Sequence, residues 1–155
     1  MNLNDVIDHI RNRPYMSGIE RDRVRVKATG EIFTPTELVQ EQLNRLPTSL
    51  FADATKTFID PACGDGQFLG EVIIRKMEYG SSLAQALSTT YGVDLMQDNV
   101  DLCRTRLACG SQELESIVNR NIIQHDGMIY DYSFNGTNRS QADLTFDELF
   151  EFATD

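Results

Sequence analysis

The stretch Asp60-Pro-Ala-Cys-Gly-Asp-Gly-Gln-Phe-Leu69 constrains this chain more than any other. The apolar Thr57-Phe58-Ile59 precedes it, and the amphipathic run from Phe68 to Met77 follows it. A short apolar run, a glycine turn and then residues of 3.6 period predict a strand, a tight loop and a helix. Gly64 and Gly66 lack Cβ atoms, so the loop can turn sharply and let a ligand lie against bare backbone. Unpaired N–H groups at the start of the next helix then face that ligand. A loop of this kind suits a nucleotide-like molecule.

The rest of the chain repeats the same alternation. Thr34-Pro35-Thr36-Glu37 predicts a capping box with proline at the first helical position. Leu38, Val39, Leu43 and Leu46 supply the apolar stripe of that helix, and Pro47 ends it. The helix after the glycine loop should stop near Gly80, and Ser81 or Ser82 can cap a short helix through Leu83, Ala86 and Leu87. Tyr91 to Leu95 predicts a second strand, and Asp98 a cap for a helix carrying Val100, Leu102, Cys103 and Leu107. Ser111 to Arg120 predicts a further helix, and Asn121 to Asp126 a third strand. Strands that alternate with helices make βαβ units and a parallel sheet.

A length of 155 residues fits one domain, able to bury roughly 70% of its unfolded surface. Residues 1–28, broken by Pro14 and Gly18, predict a helical or irregular lead-in, and 29–155 the single domain. No apolar run approaches the roughly 20 residues that span a membrane, and Met1 to Ile10 carries polar and acidic residues throughout, so a cytoplasmic setting is expected. Cys63, Cys103 and Cys109 are odd in number without Cys-x-x-Cys spacing, which argues against a disulfide framework or a zinc site. The net charge of −10 argues against tight autonomous binding to DNA phosphates. The basic residues that could oppose this gather early, at Arg11, Arg13, Arg21, Arg23, Arg25 and Lys27. They form either a solvated basic segment or a contact for nucleic acid or a partner. His9 and His125 have no partner at catalytic spacing.

In parallel sheets ligands sit beyond the carboxyl ends of the strands. Asp60, Asp94 and Asp126 are all expected at such ends. One isolated Asp is usually a loop cap; three at equivalent strand ends suggest a site. S-adenosylmethionine presents a charged amino acid, a ribose diol and an adenine, and these positions suit it. The Gly64–Gly66 loop can host the amino-acid end, with Asp60 holding the loop or meeting the amino group. Asp94 suits the ribose hydroxyls as a bidentate acceptor. Leu95 can pack on the adenine face, and Asp126 can accept from its amine.

Gly30-Glu-Ile-Phe-Thr-Pro-Thr-Glu-Leu-Val39 followed by Asp60 to Leu69 resembles the opening of N6-adenine DNA methyltransferases, closest to the modification enzymes of type I and type IIG-like restriction systems. The resemblance covers about residues 28–130. It implies a truncated Rossmann-like class I methyltransferase fold, a parallel sheet core with flanking helices. It assigns Phe33, Thr34 and Pro35 to the methionine part of S-adenosylmethionine, and Asp60, Ala62, Cys63, Gly64, Gly66 and Phe68 to the cofactor loop. Asp94 then matches the acidic residue after the second strand, and Asp126-Gly127 the Asp-Gly after the third.

The catalytic signature of that family, Asn-Pro-Pro-Tyr after a fourth strand, grips a flipped adenine. It is absent here, where the prolines are Pro14, Pro35, Pro47 and Pro61. The nearest registration puts Leu144 to Asp155 in its place, with Phe152-Ala-Thr-Asp155 in the catalytic slot, and Thr145-x-x-Glu148 suggests a short helix instead. The expectation is therefore the cofactor half of a methyltransferase, with no catalytic residue of its own. The strand before the glycine loop would keep an open edge. Candidates to cover it are Met128 to Phe134 folding back as a strand, the terminal Phe-rich segment, a second copy of the chain, or a partner subunit through which any DNA contact would run. Three functions stay open: a binder of S-adenosylmethionine acting as split subunit, regulator or sequestering protein; an acidic decoy of restriction–modification machinery; and a small active methyltransferase with other catalytic residues.

Overall fold

The computed structural model describes residues 1–12 and 34–135. Phe33, the basic positions from Arg13 to Lys27 and the segment Leu144 to Asp155 lie outside the described residues. Three short strands, β1 (Phe58–Asp60), β2 (Thr90–Asp94) and β3 (Ile122–Gln124), form a parallel sheet in the order β1-β2-β3. Phe58 stands opposite Thr90 and Asp60 opposite Gly92, while Gly92 pairs with Ile122 and Asp94 with Gln124. The expected α/β fold with a parallel sheet and flanking helices is what forms.

The helices are α1 (Leu3–Asn12), α2 (Thr36–Asn44), α3 (Ser49–Ala52), α4 (Gln67–Glu78), α5 (Leu83–Ser88), α6 (Gln97–Ala108) and α7 (Glu115–Asn121). Ser82 caps α5 through a complete capping box with Gln85. Two expected caps do not form. Pro35, not Thr34, is the N-cap of α2 and makes no side-chain cap bond. Thr34 lies one residue before that cap, and its carbonyl accepts from Gln67 Nε2 at 2.8 Å. At α6 the N-cap is Met96 rather than Asp98. The Met96 N–H is taken by Asp94 Oδ1 at 2.9 Å, and the helix starts two residues earlier than expected. The predicted helix over Ser111–Arg120 opens as a 3₁₀ turn, Gln112–Leu114, and becomes α-helical only from Glu115. No turn signal announced the single turn of α3, which exists because Phe51 is buried against Val39, Leu43 and Val72.

The main core joins one face of the sheet to the helices. Leu69, Ile73 and Ile74 of α4, Val100, Cys103 and Leu107 of α6, and Ile122 of β3 pack together with Val6 and Ile10 of α1. The lead-in thus starts with a helix whose Val6 and Ile10 are fully buried, with Leu3 and Ile7 partly so. Gly70 is what lets α1 approach, since a Cβ there would stand 2.7 Å from Ile10 Cγ2. Arg11 and Glu71 close the contact with a pair of 3.0 Å hydrogen bonds.

The other sheet face is covered differently. Met128 to Phe134 does not pair with β1 as a strand. Tyr130 instead packs on Val93 and Ile123, and the Phe134 ring lies 4.8 Å from that of Tyr91. The Tyr130 hydroxyl accepts the Phe134 N–H at 3.0 Å, which bends the segment into a hook. The aromatic rings contribute to this outcome by packing on one another edge-to-face, Tyr130 against Tyr132 and Phe134, over Val93 and Ile123. Among the described residues β1 pairs with β2 alone, and Ile59 is 51% exposed. No helix among the described residues is long and apolar enough to cross a membrane.

Candidate cofactor site

A cavity of about 960 Å³ opens at the carboxyl ends of the strands. Thr34, Asp60, Ala62, Cys63, Gly64, Phe68, Asp94, Leu95, Asp126 and Gly127 all line it. Residues from four separated stretches of chain are thus brought to one wall. Pro35 and Gly66 do not line it. Pro35 serves the helix, its carbonyl accepting from Leu38 and Val39. Gly66 faces inward, with φ +91° and an ideal Cβ position only 2.9 Å from Cys103 Sγ, so it is required by packing. Gly64 is the contrasting case. Its φ is +55°, and no atom lies within 4 Å of where a Cβ would be, so its open side belongs to the cavity.

Three carboxylates occupy the strand ends, and each also shapes backbone. Asp60 Oδ1 accepts the Ala62 N–H at 3.1 Å, and Asp126 Oδ1 the Met128 N–H at 2.9 Å, both closing turns. Asp94 does more. Its Oδ2 accepts the Gly64 N–H at 3.0 Å, while Oδ1 accepts from Met96 N–H and from Asn99 Nδ2 at 3.2 Å. Two carboxylate oxygens offer about four acceptor positions, so roughly one remains for a ligand. Asp94 therefore ties the glycine loop to β2 before it meets any ligand. Burial raises the Asp60 carboxyl above the ordinary range, and the nearby Asp94 charge raises it further, against the Ala62 hydrogen bond. Asp60 and Asp94 repel each other, and a cation between them would relieve both.

Cys63 lies under the loop rather than acting in it. Its thiol is pushed far up, first by hydrogen bonding with Cys103 and then by burial. A thiol held protonated is a poor nucleophile. Cys63 packs against Gly92, where a Cβ would stand 2.9 Å from Cys63 Sγ and 2.8 Å from Leu69 Cδ1. Gly127 has a similar reason: a Cβ there would meet the Pro61 carbonyl oxygen at 2.5 Å. His9 Nε2 lies 3.2 Å from the Thr105 carbonyl oxygen and His125 Nδ1 3.1 Å from that of Asp126, and neither histidine lines the cavity.

Sequence reading missed the residues that hold the loop from behind. Asp65 and Arg106 are each 1% exposed and form an ion pair at 3.4 Å. Arg106 also donates to Gln67 Oε1 and to the Ile10 carbonyl, each at 2.9 Å. The middle residue of Gly64-Asp65-Gly66 was the available signal, since an acidic residue there needs a partner once buried. That the partner stands forty residues on, in α6, was not readable. Asn99 and Met128 also enter the wall, Met128 at 92% exposure.

Parallel strands, a glycine loop running into a helix, and acidic residues at successive strand ends define an α/β domain of the Rossmann-like kind. The chain belongs to the N-6 DNA Methylase family, whose model matches residues 21–144. No curated protein and no solved structure matches the chain.

Proposed function

We propose that this cavity binds S-adenosylmethionine and that the chain is the cofactor-binding part of an N6-adenine methylation system. The observation that carries the reading is the Asp60–Asp94 pair set against the open backbone of Gly64. Two mutually repelling carboxylates favour a ligand with positive charge, and the missing Cβ leaves room for it beside the loop. Asp94 has an acceptor position left for a ribose hydroxyl, Asp126 is placed for the adenine amine, and Leu95 offers an apolar face. Thr34 and Phe68 complete the wall around the amino-acid end. Bound S-adenosylmethionine supplies an electrophilic methyl group; this chain's own residues bind and orient.

Methyl transfer to adenine also needs a grip on the flipped base. The 155 residues contain no Asn-Pro-Pro-Tyr, so on this reading transfer to DNA waits on such a motif supplied from beyond them. A cytoplasmic restriction–modification setting, with the edge of β1 that is unpaired among the described residues as the place where a partner joins, agrees with the family and with the exposure of Ile59.

Calorimetric titration with S-adenosylmethionine and S-adenosylhomocysteine is the test. Saturable binding to the wild type, weakened tenfold or more by Asp94→Asn, is the expected result. No heat at millimolar ligand would overturn the proposal and favour the decoy reading. Labelled-methyl transfer to unmethylated DNA should be absent with the chain alone; robust turnover would refute its catalytic incompleteness.

A further inference from the structure

Gln67 is the first residue of α4 and is nearly buried. Its amide is used at both ends. Oε1 accepts from Arg106 Nη2 at 2.9 Å, while Nε2 donates to the Thr34 carbonyl at 2.8 Å and to Thr36 Oγ1 at 3.0 Å. A guanidinium only donates, so the amide oxygen must face Arg106 and the amide nitrogen must face Thr34. Arg106 is itself fixed on two further sides, by Asp65 and by the Ile10 carbonyl at the end of α1. Thr34, Asp65 and Gln67 all line the cavity, and Arg106 does not. The guanidinium therefore stands behind the wall and sets the orientation of a group that joins two parts of it.

We infer that Gln67 is a positioning residue of the pocket: oriented by Arg106, its amide clasps the Thr34 segment to the glycine loop and so holds the two walls in register. This rests on the S-adenosylmethionine reading of the same cavity for its ligand, but the clasp itself is a property of the empty protein. The loop side of the pocket is anchored to β2 through Asp94. The Thr34 side is joined to the loop through this amide. Its loss lets the first turn of α2, where the Leu38 and Val39 N–H groups both donate to the Pro35 carbonyl at 3.1 Å, open without unfolding the core.

Gln67→Glu tests the clasp with almost no change of shape. The new carboxylate still accepts from Arg106, so the buried guanidinium keeps its partner, but in its ionised form, at pH well above neutral, it has no proton to donate to Thr34. Three measurements are made on the full chain: thermal midpoint, hydrogen exchange of residues 34–44, and calorimetric Kd for S-adenosylmethionine. The expected result is a midpoint within a few degrees of wild type, faster exchange confined to the start of α2, and affinity weaker by about tenfold, the size of one lost hydrogen bond. Arg106→Lys, which cannot fork to Gln67, Asp65 and Ile10 together, should shift exchange and affinity the same way. Wild-type exchange at residues 34–44 in Gln67→Glu overturns the clasp, as does an unchanged Kd in a wild type that binds. If the wild type itself does not bind, the ligand reading falls, and the exchange comparison alone still decides the clasp.

Discussion

The two faces of the sheet are built on opposite terms. On one side α1, α4 and α6 cover the strands with a continuous apolar core, and buried polar groups are bound to each other across elements. Asp65, Arg106 and Gln67 join the glycine loop to two helices, and Lys76, fully buried, donates to the Lys56 carbonyl at 2.6 Å and to Thr89 Oγ1. On the other side, among the described residues, only the aromatic hook of Tyr130 and Phe134 lies on β2 and β3, and Ile59 of β1 faces outward. The cavity opens where the two regimes meet. The difference teaches that the glycine loop is held from the helical face by Arg106 and from β2 by Asp94, so its geometry does not wait on whatever meets the open face.

Breaking the helical side should have the largest effect. Arg106→Met removes the ion-pair partner of the buried Asp65 carboxylate, and the expected loss is about 3–5 kcal/mol in urea unfolding. A loss below about 1 kcal/mol would mean that the ion pair does not hold the loop. Next comes the seam between the two regimes. Gly127→Ala drives a Cβ toward the Pro61 carbonyl oxygen, which as backbone yields little, and should cost about 1–3 kcal/mol. Equal stability of the variant and the wild type would show that the seam is loose.

Asp60→Asn should act with the opposite sign. The folded carboxyl of Asp60 titrates above its unfolded value because of burial and the Asp94 charge. Its favourable contribution is therefore present in acid, below the unfolded value, and is lost as pH rises through the folded one. Asparagine keeps the acceptor for the Ala62 N–H and removes the repulsion. The variant should be slightly more stable than wild type at neutral pH, the gain vanishing in acid, while its affinity for a cationic ligand falls. A pH-independent difference in midpoint would contradict the charge argument.

The smallest effect belongs to the open side. Ile59→Thr should change stability by no more than about 0.5 kcal/mol, as for other surface positions. A loss well above 1 kcal/mol would show that Ile59 is covered in solution, and dependence of that loss on protein concentration would assign the cover to a second copy.

Much of this was legible in the residues themselves. The glycine loop between a short apolar run and a 3.6-period helix specified strand, turn and helix because Gly adopts the φ of +55° and +91° found at Gly64 and Gly66 without the strain a Cβ brings. Asp60, Asp94 and Asp126 could be placed at strand ends because local hydrophobic period locates strands to within a residue or two. Family membership followed from the same motifs.

What remained hidden depends on distance in sequence. Thr34 looks like a helix cap from its neighbours, but a Gln67 amide thirty-three residues away claims its carbonyl. Tyr130 and Phe134 alternate as a strand would, but their rings pack over the sheet face against Val93, Ile123 and Tyr91 instead. Asp65 reads as a turn residue until α6 brings Arg106 behind it. Local pattern determined which segments fold and where the cavity opens, because those choices rest on neighbouring dihedrals. Only the tertiary structure decided which side chains hold the cavity in shape, because a buried polar group takes its partner from whatever element the packing brings near.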